Sequence, residues 1–486
     1  MNKENILFIY KRHQPEDTLL YKIIEEHYPA FVSHLAEQGR VLPSYVSREF
    51  EEYLKCGLLA HGFLRVRCEC CQHEKLVAFS CKKRGFCPSC CAKRMTESST
   101  LLVDTVLPDE PMRQWVLSFP YPLRLVFARQ PHVMSHVLKI VNRTISRYLI
   151  KKAGLTKKTA RTGAVTLIQC FGSALNLNVH FHMLFLDGVY VDDASEKNGQ
   201  RFVSITNHFV ADIVELTHKI SLRVARLLER SGLIESDGEN TYLAAEGLPD
   251  NNEMIEHQSH SITYRIAVGP QKGKKIFSLQ TLPPTFKETE SAVLVGKVAG
   301  FSLHAGISVK AGQRDKLERL CRYISRPPVS VHRLSLTKQG KIRYELKTPY
   351  SNGTTHMIFE PLDFISKLAA LVPMAGANLT RFHGVFVPNS QYRAQIIKRP
   401  DENKASEQEV RTESEKRAAM TWAQRLKRAF SIDIEICEVC GGKAKAIACI
   451  VDPVVINKIL KHLNLPSFPS HQVILPAKRA PPVFMI

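Results

Sequence analysis

The chain has 486 residues, with 67 Lys and Arg against 46 Asp and Glu, for a formal charge of +21. So large a positive field suits a polyanionic partner, and the excess is spread along the chain in clusters rather than confined to a tail. The 13 cysteines are odd in number, the first residues lack a leader-like apolar core, and no run approaches the roughly 18 apolar residues of a membrane span. We expect a cytoplasmic, nucleoid-associated protein in a reducing compartment.

Residues 1–50 carry Leu19, Leu20, Ile23, Ile24, Phe31 and Leu35 at helical spacing, punctuated by Pro29 and Pro43, which predicts a helical lead-in. Between Cys56 and Cys91 stand 8 of the 13 cysteines. Two Cys-x-x-Cys pairs, Cys68/Cys71 and Cys87/Cys90, predict one tetrahedral zinc site, the loop between them bringing the second pair back over the first. Cys56, His61, Cys81 and His73 are left over for a second zinc site, with ligand exchange between the two sites equally open. Lys82, Lys83, Arg84, Lys93 and Arg94 give this 51–100 module a basic rim suited to DNA.

From about Arg113 the pattern turns to strands. Trp115–Phe119 is a short apolar run closed by Pro120 and Pro122, and a helical stretch passes through His136, Val137, Ile140 and Val141. Further strands are predicted at Ala164–Cys170 and Asn178–Leu186, joined by a short loop containing Gly172. A helical insertion of about 210–260 contains an amphipathic helix from Val210 to Leu233 and a polar connection from Ser236 to Ser259. A strand at Gly300–Val309 leads into a helix from Gln313 to Ser325, stopped by Pro327 and Pro328. Strands at Ile342–Leu346 and Phe382–Val387 and a helix at Leu362–Leu371 complete a 101–397 unit. A charged linker at 398–418 precedes a small 419–486 module. There Cys437 and Cys440 resemble half a zinc ribbon, with Cys449 or His462 as partners.

Two segments carry reactive groups. In the strand Asn178–Leu186, a period of two places Asn178, His180 and His182 on one face and Val179, Phe181, Met183 and Phe185 on the other. Two imidazoles side by side form a bidentate claw for a divalent cation. His304, in Phe301–Gly306, and Gln169 are both candidates for a third ligand. In the helix Gln313–Ser325, Leu317, Leu320, Cys321 and Ile324 form the buried stripe, and Tyr323 stands at its edge beside Lys316, Arg319 and Arg326. A phenol ringed by cations sits where a phosphodiester would be neutralised and attacked.

The ordered blocks WVLSFPYPLR, QCFGSALNLNVHFHMLFLDGVY, GFSLHAG and LERLCRYISRPPVSVHRLSL, behind a cysteine-rich module, resemble the rolling-circle insertion-sequence transposases with a His-hydrophobic-His (HUH) core, including those of the ISCR elements. The resemblance implies an α/β fold: an antiparallel-sheet HUH nuclease core with flanking helices, a helical and zinc-ribbon module before it and a small module after it. It implies that His180 and His182 hold Mg²⁺ or Mn²⁺, that Tyr323 is the nucleophile, and that Arg319, Arg326 and Arg333 grip phosphate. Arg319 and Pro327 occupy the positions one turn from Tyr323, so the chain resembles a single-tyrosine branch. The expected substrate is single-stranded or hairpin DNA at element ends, cleaved and rejoined without a nucleotide cofactor. A plasmid relaxase or replication initiator, and a non-enzymatic zinc-ribbon binder of nucleic acid, are the alternatives.

Overall fold

The computed structural model describes residues 14–196, 199–236, 241–243, 254–284, 294–397 and 437–465; the expected linker at 398–418 lies outside them. The N-terminal segment folds as α1 (Leu19–Glu37) and α2 (Ser44–Lys55). Thr18 caps α1 by accepting from the Tyr21 amide. Pro29 does not punctuate α1 as expected but lies inside it. A proline costs one ladder bond, and the buried stripe of Leu20, Ile23, Ile24, Tyr28, Phe31 and Leu35 outweighs that loss. Pro43, by contrast, stands at the N-cap of α2.

After the hairpin of β1 (Phe63–Cys68) and β2 (Glu74–Ala78) comes α3 (Pro88–Thr105). Next are β3 (Met112–Ser118), α4 (Tyr121–Arg129) and α5 (Pro131–Lys152). The hairpin of β4 (Gly163–Phe171) and β5 (Leu177–Leu186) turns at Gly172, whose amide bonds to Asn176 O at 2.8 Å. A Cβ at Gly172 would lie 2.2 Å from Asn176 Oδ1, so a larger residue there would have to displace the Asn176 side chain. The expected amphipathic helix is α6 (Val210–Arg230), and α7 (Ile255–Ile262) begins within the connection read as polar, Ser236–Ser259, and runs past its end. His257, Ser261 and Ile262 are buried there, so polar residues satisfied inside the fold concealed the helix.

The later strands used below are β6 (Phe277–Gln280), β7 (Val295–Val298), β8 (Phe301–Val309), β9 (Leu334–Leu336), β10 (Ile342–Glu345), β11 (Thr354–Phe359), β12 (Thr380–Gly384) and β13 (Ala444–Ile450). Helices α8 (Arg314–Ile324), α9 (Pro361–Leu371) and α10 (Pro453–His462) complete the set used below.

The central sheet has six antiparallel strands in the order β7-β8-β3-β5-β4-β12. Strand alternation divides its two cores. Val179, Phe181, Met183 and Phe185 join the apolar faces of α5 and α6, whereas Leu184, Leu186, Val165 and Leu167 pack with α3 and α8. His180 and His182, being even-numbered, face the α3/α8 side. A smaller antiparallel sheet, β6-β11-β10-β9, shares a third core with α1, α2 and α9. The expected lead-in is therefore packed against residues from the far end of the 101–397 unit.

Candidate active site and metal centres

β5 lies at the middle of the central sheet, with β3 and β4 on either side, so its inward histidines are held on a fully paired backbone. His180 and His182 are 8 % and 5 % exposed, and their Nε2 atoms approach to 3.1 Å. The His180 Nδ1–H donates to Asn178 O at 2.8 Å, so its Nε2 lone pair faces His182 Nε2. Gln114 Nε2 lies 2.8 Å from His182 Nδ1; with that amide turned over, Oε1 accepts from Nδ1–H and His182 Nε2 presents a lone pair to a metal. Burial lowers the His180 pKa to about 4, with Arg326 and Arg124 adding to the effect. Burial likewise lowers that of His182 to about 2, helped by His180 and Arg326. Both rings are thus held neutral, the form that binds metal.

The site fits a divalent cation. Two nitrogens at about 2.1 Å from one ion and at a right angle to each other lie about 3.0 Å apart. Gln169 stands opposite His180 in register, and its Oε1 is buried with no partner; Oδ1 of Asn178 is orphaned in the same way. Imidazoles with amide oxygens nearby form a donor set suited to Mn²⁺ or Mg²⁺.

The expected third ligand His304 does not join the pair. It stands opposite Val116, which stands opposite His182, so two strand spacings, about 10 Å, separate the histidines. Its Nε2 contacts Ser302 Oγ at 3.1 Å instead.

Tyr323 comes to the histidines on the last turn of α8. Its ring centroid lies 6.5 Å from that of His182, at an interplanar angle of 86°. It is 40 % exposed, against complete burial of Cys321 on the same helix. Arg326 lies 4.4 Å above the Tyr323 ring and Lys347 lies 4.5 Å from it. Gln169 Nε2 donates to Ile324 O at 3.0 Å, binding the end of the tyrosine helix to the histidine sheet.

Of the other predicted cations, Arg319 is exposed on α8, and Arg333 stacks over Tyr344 at 4.7 Å on the smaller sheet. Lys347 was missed by sequence reasoning: it follows β10, and nothing local marks it as a neighbour of Tyr323. A cleft of about 400 Å³ beside the site is lined by Gln169, Phe171 and Arg326, and also by Arg84 and Arg94 of the cysteine-rich module. Arg84 donates to Ala377 O, and Arg94 to Lys82 O. Lys82 is exposed, and Lys83 and Lys93 are partly exposed.

The cysteines group differently from expectation. Cys68/Cys71 and Cys87/Cys90 do not share a site. Cys87, at the N-cap of α3, and Cys90, in its first turn, meet Cys56 at the end of α2 and Cys81. Sulfur separations there are 3.4–3.8 Å. Cys68 and Cys71, at the tip of the β1–β2 hairpin, meet Cys437 and Cys440. α3 carries its pair toward α2 and away from the hairpin tip, which the spacing alone does not reveal. His61 belongs to neither group, and Cys449, an expected partner of Cys437, is exposed in β13 opposite Leu64.

The transposase family model Y2_Tnp matches residues 163–395, the span that holds His180, His182 and Tyr323. The transposase zinc-binding domain model Zn_Tnp_IS91 matches residues 23–119, which contain all of Cys56, Cys81, Cys87 and Cys90. No curated protein and no solved structure matches the chain. The two models together span about two thirds of the sequence, in the order zinc-binding domain then transposase domain. The chain belongs to the IS91-like rolling-circle transposases with an N-terminal zinc-binding domain.

Proposed function

We propose that this transposase cleaves and rejoins one DNA strand at an element end through Tyr323, with His180, His182 and Gln169 holding a divalent cation. The observation that carries the reading is the approach of the Tyr323 ring to the buried imidazole pair. His180 and His182 would supply two nitrogens and Gln169 its orphaned oxygen. Mg²⁺ or Mn²⁺ held by these residues would supply Lewis acidity at the scissile phosphate.

The residues of the chain do the rest. Arg326 and Lys347, against the Tyr323 ring, neutralise the phosphodiester. Attack by the Tyr323 oxygen forms a phosphotyrosyl bond to the 5′-phosphate side of the break and breaks the bond from phosphorus to the 3′ oxygen, which takes a proton from solvent and leaves as a hydroxyl. Solvent reaches Tyr323 and takes the phenol proton. Reversal by a 3′-hydroxyl rejoins a strand and keeps the bond energy. Arg84 and Arg94 line the same cleft as Arg326, which suits a single-stranded backbone running from the zinc-binding domain to the tyrosine. In that domain, Cys56, Cys81, Cys87 and Cys90 would hold structural zinc, since sulfurs at about 2.3 Å from one ion lie about 3.8 Å apart.

His180→Ala should abolish high-affinity Mn²⁺ binding by calorimetry and lower Mn²⁺-dependent cleavage at least about 100-fold, while leaving oligonucleotide affinity within twofold. Gln169→Leu should weaken Mn²⁺ binding about 10–100-fold, with reduced cleavage recovered at high Mn²⁺. Unchanged Mn²⁺ affinity in both variants would refute this donor set.

A further inference from the structure

We propose that Cys68, Cys71, Cys437 and Cys440 form a second zinc site, built half from each end of the chain, that joins the last module to the first. Their four sulfur atoms lie within 4.8 Å of one another, with Cys68–Cys440 and Cys71–Cys437 both at 3.5 Å. The matched zinc-binding domain ends at residue 119 and so includes only two of these ligands.

In each half a backbone amide two residues on donates to a cysteine sulfur: Cys70 N to Cys68 Sγ, the first of its pair, and Gly442 N to Cys440 Sγ, the second of its pair, both at 3.4 Å. Each Cys-x-x-Cys is followed by a residue in the left-handed region, Gln72 at φ 60° and Gly441 at φ 72°. Amides aimed at sulfur stabilise thiolate, the form that binds zinc.

The metal ligands are the tip of a larger joint. β13 pairs with β1 from Phe63↔Ile450 to Cys68↔Ala444, completing a three-stranded sheet in the order β13-β1-β2. Behind it, Ile456 and Leu460 of α10 pack on Phe63, and Lys75 pairs with Glu438 at 3.4 Å. The ribbon at the start of the chain is thus incomplete without strand and ligands from its end. A chain stopped before Cys437 would keep the catalytic sheet and the first four-cysteine group, yet lose half of the second site and one of three ribbon strands. The site makes assembly of the ribbon conditional on a full-length chain.

The test is zinc stoichiometry and thiol protection in the full-length protein. Wild type should carry two zinc ions by native mass spectrometry, and Cys437→Ser/Cys440→Ser one, with faster hydrogen exchange at the β1 amides paired to β13. In wild type, Cys68, Cys71, Cys437 and Cys440 should resist alkylation together and become reactive together on chelation, a readout that needs no variant to fold. Two zinc ions in the double variant, or ready alkylation of Cys437 and Cys440 while Cys68 and Cys71 stay protected, would overturn the proposal.

A second, independent observation concerns the opposite face of the central sheet. Lys139, Arg143 and Arg147 recur every fourth residue on α5, across a groove from Arg223, Arg226 and Arg230 of α6; no carboxylate lines it. Arg223 is anchored by donation to Thr144 Oγ1 at 2.8 Å. Desolvation, with repulsion from Arg147 and Arg143 added to it, lowers the pKa of nearby Lys157. Resting on the reading of this chain as a DNA-acting enzyme, we infer that this groove binds a second DNA segment, a duplex backbone remote from Tyr323. Cations repeating along two facing helices suit a regularly spaced polyanion.

Replacing Arg143, Arg147, Arg226 and Arg230 with Gln should weaken binding of random-sequence duplex. The slope of log K against log salt should shrink by about 3–4, at roughly 0.9 per phosphate contact. Tyr323 adducts on a short single strand should stay within twofold of wild type. An unchanged salt slope, or loss of the short-strand adduct, would overturn the assignment of a separate duplex surface; absence of any adduct in wild type would instead count against the catalytic reading.

Discussion

Tyr323→Phe should eliminate the denaturation-resistant protein–DNA adduct, lowering its formation by at least about 10³-fold, and leave oligonucleotide affinity within twofold. The substitution removes one oxygen and little else. A phenyl ring retains the stacking contacts with Arg326 and Lys347 and the edge contact with His182, so the cations remain placed to hold a phosphodiester. Cys321 and Ile324, which anchor α8 in its core, are untouched. A single strand labelled at its 3′ end, incubated with Mn²⁺ and resolved under denaturing conditions, reads the result, because a 5′-phosphotyrosine retains the 3′ label on the protein. An adduct of normal yield in Tyr323→Phe would transfer the nucleophile elsewhere. Label retained from the 5′ end instead would reverse the polarity of the reaction.

Periodic features were legible from sequence. The alternation through Val179–Phe185 correctly separated the apolar face from the histidine face, and the apolar stripe of α8 correctly left Tyr323 at its edge. Both are local properties of a strand or a helix turn. What failed was non-local. His304 looked equivalent to the other histidines, but strand order sets it two strands from His182. Gln169, the other candidate, stands opposite His180 because of register, which a single strand does not encode. The cysteine pairs were found, yet their pairing depends on which end of each element faces which. The return of Cys437 and Cys440 to the N-terminal hairpin leaves no trace in local spacing. Lys347 escaped for the same reason.

A larger effect on stability is expected from Asp187→Asn. Asp187, just after β5, is 5 % exposed and accepts three hydrogen bonds from Arg113 of β3 at 2.8–3.1 Å; Arg113 itself is 8 % exposed. The Arg113 guanidinium also donates to Ala305 O in β8 at 2.8 Å. From Asp187 the chain of polar contacts runs through His208 at 2.8 Å, then Tyr148 of α5 at 2.9 Å, then Asp212 of α6 at 3.0 Å. One buried network therefore ties three strands to the two helices behind them. Removing the carboxylate leaves Arg113 charged, buried and without a counter-ion, at a cost of about 3–5 kcal/mol. Replacing the pair together, as Arg113→Met with Asp187→Leu, should recover much of that loss, because it removes both desolvated charges. Burial pushes the Asp187 carboxyl up, but the hydrogen bonds from His208 and Arg113 and their charge prevail, and its pKa falls below the ordinary value. A carboxyl with a lowered native pKa contributes stability that is fully present above the unfolded value of about 3.9 and is lost as pH falls through the native value. The difference between wild type and Asp187→Asn should accordingly shrink as pH falls below about 4. Trp115, fully buried with its ring 6.0 Å from that of His208, gives the fluorescence signal for urea titrations. A midpoint for Asp187→Asn equal to that of wild type at neutral pH would show that the network orders the helices without holding them to the sheet.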